Sequence, residues 1–138
     1  STGDTVYVVG LSTTADLTRT INFVVDSGST QMSAGINGEM TLDVTGEIQS
    51  WTVIGDADGQ IQFDIKKVDF ANFPNFASIC GTERPQLGDI NTGAVARKNT
   101  NTTISSWNRT LNAGDIMQFE VVYAINIQRC VVSMKLAL

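Results

Sequence analysis

The segment GQIQFDIKKV, residues 59–68, carries the clearest structural pattern in this chain. Its apolar residues Ile61, Phe63 and Ile65 alternate with glutamine, aspartate and lysine. Successive side chains of a β-strand point to opposite faces, so this alternation indicates a strand with one buried face and one solvated face.

The same alternation recurs along the chain, and helical periodicity is absent over any long window. The sequences DSGS, INGE, DADG and NAGD separate the strand-like segments and are typical of antiparallel hairpin turns. We therefore predict an all-β fold, an antiparallel β-sandwich of the jelly-roll type. The other predicted strands are TVYVV (5–9), RTINFVVD (19–26), EMTLDVTG (39–46), and the segments 117–123 and 129–138.

Two tryptophans occur in related contexts. Trp51 follows Ile-Gln-Ser and Trp107 follows Ile-Ser-Ser, and a Gly-Asp pair comes after each. A tandem repeat is one interpretation of this similarity. We favour two sandwich strands that each bury a tryptophan in the core.

The segment VDFANFPNFASICGTERPQLGD, residues 68–89, interrupts the strand pattern. Phe70, Phe73 and Phe76 are spaced by three, but Pro74 lacks an N–H and disfavours the helical region for the residue before it. We predict a long structured loop. Burial of each phenylalanine is worth about 1.5–3 kcal/mol, so we expect a satellite core that covers one end of the sandwich. A subunit interface is the alternative, and a carbohydrate platform would more typically present Trp or Tyr.

Composition excludes several classes of protein. The chain has 138 residues, a size typical of one domain, and a net charge of −5, without the basic surface of a nucleic-acid binder. No apolar run approaches the length of a membrane span. Two cysteines cannot form a four-cysteine zinc site, and we predict that Cys80 and Cys130 are buried free thiols.

No metal or catalytic site stands out. Asp56 and Asp58, followed by Gly59, offer oxygen ligands of the kind that calcium prefers, but an ordinary Asp-Gly hairpin turn is the favoured interpretation. The chain has no histidine, the commonest general base. Asp64 and Glu83, together with Asp69, lie in or near the phenylalanine loop and could form a glycosidase-like carboxylate pair. We expect no catalytic residue, no cofactor and no enzyme activity.

Several of these motifs resemble a module of tailed-bacteriophage virion proteins, found at the C-terminal ends of tail fibres and related tail proteins. The similar features are IQSWTVIGDADG, the strand IQFDIKK with the FANFP that follows, SICGTERPQL, and ISSWNRTLNAGDIMQFEV. The resemblance covers residues 20–138 and leaves residues 1–19 as an N-terminal strand or linker. It implies a β-rich, trimeric virion component and supplies no catalytic residue. At DIKK the chain departs from the module, which tends to place an aromatic residue before a lysine.

Two function classes follow from this resemblance. The first is a tail fibre or spike domain that attaches to a host-surface molecule, such as a glycan. The alternative is a capsid decoration or cement protein, and a carbohydrate-active enzyme is a distant third. In both main classes the partners are other virion proteins and further copies of the chain. Val131 and Val132 are adjacent in the last predicted strand, which suggests apolar surface for a homotrimer interface.

Overall fold

The computed structural model describes residues 17–138, which form nine β-strands and a single 3-10 turn, with no α-helix among them. The predicted all-β antiparallel fold is confirmed. No helix in this part of the chain is long and apolar enough to cross a membrane. The strands are β1 (Thr18–Asp26), β2 (Gly35–Thr41), β3 (Gly46–Val68), β4 (Ala77–Ser78), β5 (Gln86–Leu87), β6 (Ala96–Asn101), β7 (Thr110–Leu111), β8 (Ile116–Ile125) and β9 (Arg129–Ala137).

The 23-residue strand β3 organises the whole sheet. Its first half pairs with β9 and its second half with β8, while β4, β5, β6 and β7 pair along its other edge. The strand order β1-β9-β3-β8-β2 is therefore one continuous antiparallel sheet, curled into a half-barrel. The two sheets expected of a sandwich are two halves of this sheet, joined through β3.

The sheet bends in β3 between Ile54 and Gly59, where the register with β6 shifts. The predicted hairpin turn at DADG is wrong, because residues 56–59 continue β3 as strand. The Asp56 carboxylate accepts hydrogen bonds from the backbone N–H groups of Gln128 at 3.0 Å and Arg129 at 3.1 Å. These two bonds lower the pKa of Asp56, and the bond from Arg129 has the larger effect. They also hold the β8–β9 connection against the bend.

The core lies between the two halves of the curled sheet. Ile61, Phe63 and Ile65 are fully buried, as the alternation predicts. Phe23 of β1 stacks on Phe119 of β8, with ring centroids 4.2 Å apart, so residues from both halves meet in one cluster. The core also contains both tryptophans and the inward-facing residues of β9: Trp51, Trp107, Val132, Met134 and Leu136.

The other turn predictions divide in a similar way. DSGS and NAGD are turns, with Gly28 at φ +78° and Gly114 at φ +92°, a region that favours glycine. INGE instead lies inside β2, where a register shift between Ile36 and Gly38 marks a bulge in the pairing with β8. The INGE turn prediction is therefore wrong, because its glycine marks an irregularity within a strand. The predicted strand 5–9 lies outside the described residues, and the predicted linker 1–19 does so except for its last three residues.

Both cysteines are buried and unbridged. Burial raises the pKa of the Cys80 thiol and of the Cys130 thiol to about 12 each. Since the thiolate is the reactive species, neither cysteine is placed for nucleophilic chemistry.

Candidate functional site: a polar cleft beside the central strand

A polar cleft of about 300 Å³ opens between β3 and the short strands on its edge. Strand β3 contributes Trp51 and Gln62 from the two sides of its bend. Residues 82–84 and Thr103 form further parts of the wall. The remaining lining side chains come from β5 and β6: Gln86, Asn99 and Asn101. Amides and hydroxyls dominate this lining, and both can donate and accept hydrogen bonds.

A chain of side-chain contacts fixes the shape of the cleft. Arg84 donates to Gln62 Oε1 at 3.3 Å, and Gln62 Nε2 donates to Gln86 Oε1 at 3.1 Å. Asn99 Nδ2 donates to the backbone carbonyl of Gln86 at 2.9 Å, which ties β6 to β5. Hydrogen bonds within the protein thus orient each amide in this series of contacts before any ligand binds.

Asp64 lies behind this network. It is buried, and its carboxylate accepts from Ser78 Oγ at 2.5 Å and lies 3.6 Å from the Arg84 guanidinium. Asp64 was a candidate glycosidase acid, but the structure gives it the role of holding Arg84. Asp69, the third acid of that hypothesis, instead caps the 3-10 turn Phe70–Asn72 by accepting from the Asn72 N–H.

Glu83 lines the cleft, but its carboxylate accepts hydrogen bonds from a neighbouring loop. It accepts from the Ser106 N–H and the Ser106 hydroxyl, both at 2.7 Å, and from the Ser105 hydroxyl at 3.3 Å. These bonds, the backbone bond first, lower the pKa of Glu83. The Glu83 carbonyl also accepts from Trp107 Nε1 at 2.7 Å. Glu83 therefore joins the cleft wall to the loop that precedes β7.

Trp51 differs from Trp107 in one respect. Its side chain is buried and its indole N–H has no hydrogen-bond partner. A buried donor without an acceptor costs about 1–3 kcal/mol. Within the described part of the chain, this is the one buried side-chain nitrogen or oxygen in that condition, and it belongs to a residue that lines the cleft.

The phenylalanine loop does not form the satellite core that we expected. Phe70 is 75% exposed and Phe73 is 51% exposed, while Phe76 is half-buried and meets Phe73 edge to face at 5.7 Å. The loop begins with the 3-10 turn and contains a cis bond before Pro74, so a helix through the three rings is absent. Residues 17–138 therefore leave Phe70 and Phe73 largely uncovered, and the interface alternative stays a prediction.

A second apolar feature crosses the outer face of the sheet. Strand register places Val24 beside Val131, and Val131 beside Ile54. Val24 and Ile54 are 59% and 54% exposed. We call these three residues the outer row. Val132 is buried in the core, so the apolar surplus predicted from the adjacent valines reduces to Val131 and its neighbours in the row.

The sequence did not single out most of the cleft. No pattern in the sequence assigns a binding role to Gln62, Gln86 or Asn99. The cleft forms because β5 and β6 both pair with β3 on either side of its bend, and that pairing joins residues far apart in the chain. Within residues 17–138 no group of three or more acidic, cysteine or histidine side chains is arranged to hold a metal ion.

No family model matches the chain, and no curated protein matches it. Among solved structures it is similar to a family 89 glycoside hydrolase from Clostridium perfringens in complex with PUGNAc, with 14% identity over 84% of this chain and a TM-score of 0.44. The match spans 14% of that chain. It is also similar to the SPBc2 prophage-derived protein YomS, with 14% identity over 94% of this chain and 98% of that one, and a TM-score of 0.37.

Proposed function

We propose that this chain is a virion module of a tailed bacteriophage that attaches to a ligand on the host surface through the polar cleft. The observation that carries the proposal is the cleft itself, whose amides are held in place by protein partners. Preorganised polar groups in a concave site are what selective ligand binding requires. The phage setting rests on the sequence resemblance, as does the location in a tail fibre or spike.

The proposal includes binding without turnover. A glycosidase general acid needs a raised pKa, so that it still holds its proton near neutral pH. The pKa of Glu83 is lowered by its three donors, and Asp64 is committed to Ser78 and Arg84. Both carboxylates have the contacts of structural groups, which supports an adhesive function over a catalytic one.

We propose in addition that the chain works as a homotrimer and that the outer row contributes to its interface. Exposed apolar side chains in adjacent strands favour burial against another surface. Light scattering on the purified chain tests this, with the mass of three chains expected and the mass of one chain counting against it. Ile54→Lys should lower the mass, whereas Asn37→Lys, at an exposed site on β2, should leave it unchanged.

The second candidate function is capsid cement. Phe70 and Phe73 favour it, because two exposed aromatic rings suit contact with another virion protein better than contact with a soluble ligand. In an attachment module, the same rings would contact a neighbouring tail protein. The distinction therefore lies in where the protein resides in the particle.

One experiment separates the two candidates. Labelled protein is added to host bacteria and, in parallel, to phage heads from which the protein has been removed. Attachment predicts saturable binding to cells and none to heads, and antibody labelling at the tail in negative stain. Binding to heads alone, with label over the capsid, would replace the attachment function by the cement function.

A further inference from the structure

We infer that the cleft takes a short, uncharged oligosaccharide and not an acidic one. This inference rests on the proposed attachment function and names the class of its ligand. It follows from three features of the cleft: the donors that the protein leaves without acceptors, the sign of the charges around it, and its size.

The unused hydrogen-bonding groups of the cleft are mainly donors. Trp51 Nε1 has no acceptor. Gln86 Oε1 accepts from Gln62 Nε2, and Asn101 Oδ1 accepts from the Thr103 N–H at 2.6 Å. The side-chain N–H groups of Gln86 and Asn101 have no acceptor among residues 17–138. Sugar hydroxyl and ring oxygens are acceptors of the right kind. Such oxygens would accept from the exposed Asn101 amide and from the Gln86 amide, and the buried Trp51 N–H would be reached through a water molecule drawn into the cleft.

The charges around the cleft disfavour an acidic ligand. Glu83 and the buried Asp64 contribute two negative charges, and the Arg84 guanidinium contributes one positive charge that already faces Asp64 at 3.6 Å. The whole chain carries a net charge of −5. A uronate or sialate carboxylate would add a like charge to this environment without an unpaired cation to receive it. A neutral sugar satisfies the donors and avoids that repulsion.

The size of the cleft limits the length of the ligand. Its volume of about 300 Å³ is at the small end of the range of ligand pockets, about 300–1,000 Å³. The cleft therefore holds one or two sugar rings of a longer chain, and the remainder of the chain stays in solvent. Such a site recognises a repeat unit within a polysaccharide as well as at its end.

The first test measures binding of the protein to an array of neutral and acidic oligosaccharides from bacterial surface polysaccharides. Calorimetry then measures the affinity for any glycan that binds on the array and for four soluble probes: maltotriose, cellotriose, mannotriose and trigalacturonate. Neutral glycans should bind and acidic ones should not. The affinity for a neutral glycan should change less than about twofold between about 0.05 M and about 0.5 M salt, because no ion pair is formed.

Variants locate the binding in the cleft. Asn101→Ala and Trp51→Phe should each weaken the binding of a neutral glycan about five- to tenfold, the effect of one lost hydrogen bond. Asn37→Ala, at an exposed position of β2, should leave the affinity unchanged. Circular dichroism of each variant must match that of the unsubstituted chain, and Asn101, which is itself exposed, keeps the test valid if Trp51→Phe does not fold.

The possible failures are distinguishable. Two results overturn the inference while the attachment function stands. The first is binding on the array that is confined to acidic glycans. The second is binding of a neutral glycan that neither Asn101→Ala nor Trp51→Phe weakens. Absence of binding to every glycan on the array overturns the inference and also the glycan form of the attachment function, which the binding of labelled protein to host cells tests separately.

Discussion

At the residue scale, the two tryptophans form a natural pair for comparison. Both are buried, but Trp107 donates to the Glu83 carbonyl whereas Trp51 has no acceptor. Replacement by phenylalanine removes an indole N–H and similar volume at both sites. We expect Trp107→Phe to lower the free energy of unfolding by about 1 kcal/mol more than Trp51→Phe does, the net value of one hydrogen bond. Urea denaturation of both variants measures the difference, and equal losses would show that Trp51 has a partner in solution.

The exposure of Phe73 changes what its substitution should do. Replacement of a core phenylalanine by alanine lowers the free energy of unfolding by about 3–5 kcal/mol. Phe73, however, is 51% exposed and packs edge to face on Phe76. We expect Phe73→Ala to cost no more than about 1.5 kcal/mol, the upper value for an aromatic pair. Urea denaturation of the isolated chain tests this. A loss above about 3 kcal/mol would mean that the loop is covered in solution, for example by another copy.

At the element scale, the bend in β3 depends on glycine. A methyl group on Gly59 would collide with the Ile125 carbonyl oxygen and lie 2.8 Å from Ile127 Cδ1. One on Gly55 would meet two flexible side-chain ends at 3.1 and 3.2 Å and the Ala57 carbonyl oxygen at an ordinary contact distance of 3.5 Å. We expect Gly59→Ala to destabilise the fold by about 1–3 kcal/mol and Gly55→Ala to cost less. Thermal or urea unfolding ranks the two variants, and the reverse order would contradict the account of the bend.

The contact between Glu83 and residues 105–106 should depend on pH. The folded-state pKa of Glu83 lies below the ordinary value of 4.5, so its stabilising contribution is present above pH 4.5 and is lost as the pH falls through the folded-state pKa. Glu83→Gln should therefore lower Tm at pH 7, and the difference from the unsubstituted chain should shrink towards pH 3. Calorimetry at both pH values tests this. If the difference in Tm between Glu83→Gln and the unsubstituted chain were the same at both pH values, the lower Tm would result from the changed shape of the side chain and not from its lost charge.

The elements also show how far the sequence alone leads. The segments around Ile61, Val25 and Met134 place apolar residues at every second position, and these positions form their inward faces. The glycines of DADG and INGE misled the turn prediction, because a local pattern does not distinguish a hairpin from a bend or bulge within a strand. The cleft could not be predicted, since Gln62, Gln86 and Asn99 meet only through long-range pairing with β3.

At the scale of the whole molecule, three surfaces have separate proposed roles. We propose that the cleft binds the ligand, that the outer row contributes to self-association, and that the phenylalanine loop contacts another virion protein. Repetition of a weak site in a trimer raises the overall affinity for a repetitive polysaccharide, because the second and third binding events become intramolecular. A small cleft is thus compatible with firm attachment.

The most direct test of the central claim, adhesion without turnover, is size-exclusion chromatography with light scattering on the protein mixed with the surface polysaccharide of the host bacterium. The account predicts that the protein co-elutes with the polysaccharide and that the mass of the polysaccharide is unchanged after prolonged incubation. Elution of the protein alone would contradict the binding function. A falling polysaccharide mass would contradict the absence of catalysis and return Glu83 and Asp64 to consideration as catalytic acids.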